Sequence, residues 1–139
     1  MENAPIASFN FEGFKIIKSY FEINDSDKNQ TFSINFNPKG IINKETSKFE
    51  MELGVLIEER DNKFKAEITV LGVFKFVSDM KDDMLDNFFY KNAPAILFPY
   101  IRAYITTLTS LSGISPVILP TLNLSLLGPE LKKNTTILE

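Results

Sequence analysis

No cysteine, no histidine and no tryptophan occur among the 139 residues. Without thiols there is neither disulfide nor thiolate chemistry, and without imidazole the chain lacks the commonest general base and metal ligand. A serine triad of the usual kind is excluded with it. No excess of basic charge is present either: 15 Lys and Arg stand against 18 Asp and Glu for a net charge of −3, and the lysines are scattered. The footprint of a nucleic-acid binder is therefore missing. The first residues, Met1-Glu2-Asn3-Ala4-Pro5, hold neither a basic nor an apolar run, which predicts no secretory signal. No uninterrupted apolar run approaches the length of a membrane span. These absences predict a cytoplasmic protein with no catalytic residue, no metal, no cofactor, no nucleic-acid partner and no membrane insertion.

What is present is apolar and patterned. The chain carries 13 Phe within a hydrophobic content of 44%, enough for one domain over residues 1–139 with a core that needs no staples. Residues 1–8 and 134–139 are expected to be flexible ends. Phe9 to Ile23 is dense in apolar residues on both sides, so it reads as a strand covered twice or one whose register changes at Gly13 through a bulge. Asn24 to Asn29 is a polar turn. Phe32, Ile34 and Phe36 then alternate with Ser33, Asn35 and Asn37, the period of a half-buried strand. Phe49 to Glu58 and Phe64 to Val70 alternate in the same way around Glu59 to Lys63, predicting an antiparallel hairpin with one greasy and one charged face. Beyond Leu71 the alternation fails, because Leu71, Val73 and Val77 add apolar residues to the charged face, as though a partner subunit covered it. Gly72 reads as a bulge or, failing that, a close backbone approach to a partner. Ser78 to Tyr90 suits a short amphipathic helix that opens with carboxylates.

The longest element is a helix from about Pro94 to Ser112, opened by a proline in its first turn and closed near Gly113. Leu97, Ile101, Tyr104, Leu108 and Leu111 recur at spacings of four and three and draw an apolar seam that needs covering. Pro99 removes one internal hydrogen bond and should bend the helix near its start. Thr106, Thr107, Thr109 and Ser110 make a hydroxyl-rich side open to a subunit contact or to solvent. Pro116 and Pro120 forbid regular helix beyond it, and Pro129 to Lys133 can start one last short helix.

Ile96-Leu97-Phe98-Pro99-Tyr100-Ile101-Arg102, followed by Ser112-Gly113, Pro116 and Leu122-Asn123-Leu124, resembles the SecB family of protein-export chaperones. Gly72-Val73-Phe74 resembles the end of that family's last strand, and the likeness runs from about Phe9 to Leu131. The resemblance implies an α+β fold, a four-stranded antiparallel sheet with one long helix and short flanking helices. It also implies a homotetramer, a dimer of dimers joined along the helix seam, which holds unfolded polypeptide clients in apolar grooves without ATP. Carried over by position, the client-binding residues are Ile34 and Phe36 on the second strand with Leu126, Leu127 and Leu131 near the last helix. The crossover between the first two strands is short and polar here, and Lys18 stands near where the family's SecA-engaging acid is expected, so that only Glu22 keeps its sign. Export and service to a dedicated labile partner, as in the SecB-like proteins of toxin–antitoxin systems, both remain open.

The surplus of apolar side chains also admits a rival: a small apolar-ligand carrier, or an enzyme built on Asp, Glu, Lys, Tyr or Arg, with its cavity closed inside one subunit. Asp82, Asp83 and Asp86 lack the glycine and spacing of a calcium loop and read as a helix start. Glu50, Glu52, Glu58 and Glu67 are interleaved with Lys48 and Lys65 and read as a solvated face.

Overall fold

A computed structural model describes residues 9–24, 31–77 and 86–138. Five strands form one sheet: β1 (Phe9–Ile23), β2 (Phe32–Asn43), β3 (Lys48–Glu59), β4 (Phe64–Phe76) and β5 (Thr135–Leu138). A π-helical segment, Asp86–Asn92, leads into α1 (Ala93–Ser110), and a 3₁₀ turn at Leu124–Leu127 leads into α2 (Gly128–Lys133). The sheet order is β1-β4-β3-β2-β5. The first four strands pair antiparallel, as their alternation predicts, whereas β5 joins β2 in parallel. The sheet is thus five-stranded and mixed rather than four-stranded and antiparallel. The tail expected to be flexible forms β5, with Gly40 opposite Thr135 and Asn43 opposite Leu138. Asn134 prepares this pairing, since its Nδ2 donates to the Pro38 carbonyl at 3.1 Å and its own carbonyl accepts from Gly40 N at 3.3 Å. A four-residue strand has too little alternation to stand out in sequence.

The greasy face of the β3–β4 hairpin carries the core. Phe49, Met51, Leu53, Val55 and Ile57 of β3 and Phe64, Ala66, Ile68, Val70 and Phe74 of β4 are almost wholly excluded from solvent. Above them lie Phe89, Ala93, Leu97, Ile101 and Ile105, also buried. At one end the aromatic rings gather: Phe49 stacks on Phe89 with centroids 4.5 Å apart, and Phe9 stacks on Phe74 at 4.9 Å. Offset stacks of this kind add about 0.5–1.5 kcal/mol to the burial itself. Much of the phenylalanine surplus is therefore spent inside one chain. On the opposite face Leu71 and Val73 are half-buried and Val77 is exposed.

β1 changes register twice, between Phe11 and Gly13 and between Ile16 and Lys18. The first shift is the one expected at Gly13, whose φ of 140° lies outside the range most residues adopt. Each shift flips the strand's facing, which is how Phe11, Phe14, Ile16 and Phe21 all lie opposite core-facing partners of β4. At Gly72 the expectation of a bulge is overturned, since pairing runs unbroken through it to Phe14 and Met51. The close approach there comes from Leu97 of the chain's own helix.

The helix predicted over Pro94 to Ser112 is α1, and it continues through Pro99, whose ring lies on the exposed side. Gly113, with φ 81°, turns the chain just beyond it. On the hydroxyl-rich side Thr107 and Ser110 are exposed, whereas Thr106 and Thr109 are used within the chain. Thr106 Oγ1 donates to the Val117 carbonyl at 2.9 Å, and Thr109 Oγ1 accepts from Val117 N at 2.8 Å while donating to Ile105 O at 2.8 Å. Two threonines thus fasten the segment after Gly113 back along α1, with Val117 and Leu119 buried beneath it. Among Asp82, Asp83 and Asp86, the first two lie outside the described residues, as does most of the amphipathic helix expected over Ser78 to Tyr90.

Candidate functional site: a groove along the long helix

Clamping the return segment against α1 leaves a groove between them of about 630 Å³, open to solvent. One wall is the outward face of α1, where Ala95, Pro99, Ala103 and Thr107 recur every four residues, with Phe98, Arg102 and Thr106 beside them. Thr121 and Leu122 of the return segment form the other wall. Small side chains on the helix keep the groove wide, and Phe98 on one side with Leu122 on the other gives it an apolar lining. Among the described residues, Arg102 is the one ionisable side chain lining it.

Pro99 gives this wall a further property. Having no N–H, it cannot donate to the carbonyl of Ala95 four residues earlier, so that carbonyl is left without its helical partner. Both residues belong to the groove wall. The groove therefore combines apolar surface with the guanidinium of Arg102.

The residues singled out from sequence divide by position. Phe36 is half-buried, and its ring meets Phe98 edge-on at 6.1 Å and 75°, which connects β2 to the groove. Ile34 is half-buried on the same sheet face, packed against the core. Leu127 is also half-buried against the core, Leu126 is 78% exposed and Leu131 is fully buried. Leu131 accordingly has no surface to offer in this arrangement. Along the helix seam, Leu97 and Ile101 are fully buried against the sheet, Tyr104 and Leu108 are half-buried, and Leu111 is 83% exposed. Tyr104 also donates from its hydroxyl to Ser19 Oγ at 2.8 Å, tying α1 to β1.

Sequence reasoning missed the groove wall at Ala95, Ala103 and Thr107. The signal was the four-residue spacing of small residues opposite the apolar seam, a spacing that reads as unremarkable until a second segment is known to lie beside it.

On the charged sheet face, Lys18 Nζ pairs with Glu67 Oε1 at 2.9 Å and Lys39 Nζ with Glu52 Oε2 at 3.2 Å. The Lys18 hydrogen bond, and then its charge, hold Glu67 below the ordinary glutamate value. Glu22 is lowered likewise, first by the hydrogen bond from the Tyr20 hydroxyl and then by that from Asn24. Among the described residues no group of three or more acidic side chains is placed to hold a metal ion. No helix of the described residues is long and apolar enough to cross a membrane.

Set beside known proteins, the chain is 29% identical over 133 residues to an uncharacterised protein of Methanocaldococcus jannaschii, covering 90% of this chain and 85% of that one. It is 25% identical over 140 residues to the protein-export protein SecB of Magnetococcus marinus, covering 91% and 88%. Its fold superposes with a TM-score of 0.71 on the SecB-like chaperone Rv1957 of Mycobacterium tuberculosis, solved with a ChAD peptide from the HigA1 antitoxin. That match has 17% identity over 83% of this chain and 88% of the other. The family model for the preprotein translocase subunit SecB matches residues 10–131, and the chain belongs to the SecB family.

Proposed function

We propose that this protein is a holdase: it keeps non-native polypeptides from aggregating, without ATP, by burying their apolar side chains in the groove along α1. The observation that carries this reading is the groove itself, open to solvent and lined by Phe98 and Leu122 among other apolar side chains. An open groove suits a chain passing through it, whereas a small-ligand carrier or an acid–base enzyme would call for an enclosed chamber. Each well-seated apolar side chain contributes about 1.5–3 kcal/mol. Several such subsites give useful affinity with little sequence preference. Membership of the SecB family supports the same conclusion, as does the antitoxin peptide bound by the M. tuberculosis relative of like fold.

Phe36 backs the groove through Phe98, and Leu126 and Leu127, the first exposed and the second half-buried, follow in sequence shortly after Leu122 of its other wall. We assign client contact to these residues and to Ile34. Tyr104, Leu108 and Leu111 are the part of the helix seam that keeps surface for a second copy, in a homotetramer built as a dimer of dimers. The first strand argues against handoff to SecA, because Lys18 is paired with Glu67 and Glu22 is engaged by Tyr20 and Asn24.

The test is light scattering of two unrelated unfolded clients, with the full chain at micromolar concentration and no nucleotide. Aggregation should slow for both. Changing Phe36→Ser together with Leu127→Ser should weaken that effect while the melting temperature holds. Failure to slow either client sinks the proposal, and a melting temperature that falls in step with binding assigns these residues to the core alone. Sedimentation at the same concentration should show a dimer or tetramer, and a monomer would overturn the assembly.

A further inference from the structure

The side of β2 that turns away from β3 is covered over part of its length. Gly40 N donates to Asn134 O at 3.3 Å and Lys44 N to Leu138 O at 3.0 Å, so the even-numbered positions of β2 direct their main-chain groups to that side. Pairing of β2 with β3 runs without a register shift, and Phe32, Ile34 and Phe36 therefore direct theirs the same way. Among the described residues no strand pairs with these three there, since β5 covers Gly40–Asn43 alone. Pro38, which has no N–H to offer, stands where the covered and open stretches meet.

β5 is held lightly. Thr136, Ile137 and Leu138 are all exposed, so little apolar burial fastens the strand. The stretch before it is anchored, because Leu131 is fully buried and its carbonyl accepts from Thr135 Oγ1. A hinge just after Asn134 would let β5 swing away while α2 stays seated. What it would uncover is apolar: Ile42 lies opposite Ile137 and is fully excluded from solvent with β5 in place.

Resting on the holdase reading, we propose that β5 is a displaceable strap, occupying in cis the part of β2 along which an extended client segment pairs. Strap closure and full client engagement exclude each other. A client strand laid along Phe32 to Phe36 meets β5 end-on near Pro38. When β5 swings away, the client continues to Asn43 and sets its apolar side chains on Ile42. Its main-chain hydrogen bonds replace those of β5, so the strap tunes affinity and does not forbid binding. Main-chain pairing reads no sequence, and the gain extends to any client that can become extended.

The chain has no cysteine, so Ile41→Cys with Thr136→Cys, at facing positions of β2 and β5, makes a lock that closes on oxidation and opens on reduction. The probe is a fluorescein-labelled Val/Phe-rich peptide, alongside the same peptide N-methylated throughout its core and so stripped of main-chain donors. Fluorescence anisotropy with the full chain should show the reduced form binding the plain peptide about fivefold more tightly than the oxidised form. Thr136→Pro, which disrupts β5 from within, should tighten binding relative to wild type. The N-methylated peptide should gain from neither change. Equal affinity for the plain peptide across the oxidised, reduced and Thr136→Pro proteins overturns the strap and leaves the holdase reading standing. Binding by none of them overturns both. An equal gain for the N-methylated peptide means that release merely uncovers apolar surface, and the proposed exchange of strands falls.

Discussion

Leu97 of α1 fills the space that a side chain at Gly72 of β4 would need: a Cβ built there would lie 2.8 Å from both Leu97 methyl carbons. Leu97 is fully buried, so its methyls cannot swing clear. The pair fixes how closely the helix lies on the sheet. Gly72→Ala should therefore lift α1 or force Leu97 off its rotamer, at a cost of about 1–3 kcal/mol. Urea denaturation measures this, and Leu97→Ala placed on the Gly72→Ala background should relieve the clash, so that the two losses sum to less than their separate values.

Thr109 makes a second prediction. It is a buried polar residue, and its hydroxyl takes up the Val117 N–H. Thr109→Val keeps the shape and removes the acceptor, which leaves a buried donor unpaired at a cost of about 1–3 kcal/mol. Thr109→Ser should restore most of the loss. Hydrogen exchange at Val117 should accelerate in the valine variant, while exchange in the middle of β3 and β4 changes only with global stability.

How far the fold could be read in advance follows from how local each signal is. The β3–β4 hairpin was legible because Phe49 to Ile57 and Phe64 to Val70 alternate strictly, and α1 because its apolar spacing is helical. At Gly72 the sequence pointed the wrong way, because a glycine in a strand is the same letter whether it bulges or makes room. Leu97 and Ile101 read as part of a seam that joins subunits, yet they are buried in the chain's own core, since periodicity reveals a face and not what covers it. The groove was the least legible feature. It exists because Thr106 and Thr109 hold a segment that begins only after Gly113, a relationship between two stretches and a property of neither alone.

A third prediction concerns acid. Lys18 holds Glu67 below the ordinary glutamate value of 4.5, so the folded-state pKa is lower than the unfolded one. The pair therefore adds stability above about pH 4.5, and that contribution is lost as pH falls through the lower folded value. Both side chains are well exposed, and the effect on stability should be small. Lys18→Met should bring the Glu67 titration, followed by carboxyl-carbon NMR, back toward 4.5. The gap in denaturation midpoint between variant and wild type should then be wider at pH 6 than at pH 3.

Asn134 makes a fourth. Its side chain reaches Pro38 O across 96 positions of sequence. Asn134→Ala should loosen β5 without unfolding the sheet, and limited proteolysis should then release the last residues faster while the region of β3 and β4 stays protected.

The parallel pairing of β5 on β2 also orders events in time. Gly40 waits for Thr135, so the sheet cannot be completed until β3, β4 and both helices have been laid down between them. Contacts so far apart in sequence form late and slowly. Until β5 docks, the edge of β2 at Gly40–Asn43 is an unpaired row of donors and acceptors, on a newly made chain whose own apolar core is still assembling. During its own synthesis this chaperone passes through the condition that its clients are in, and the last four-stranded stage is the one at which it most resembles them.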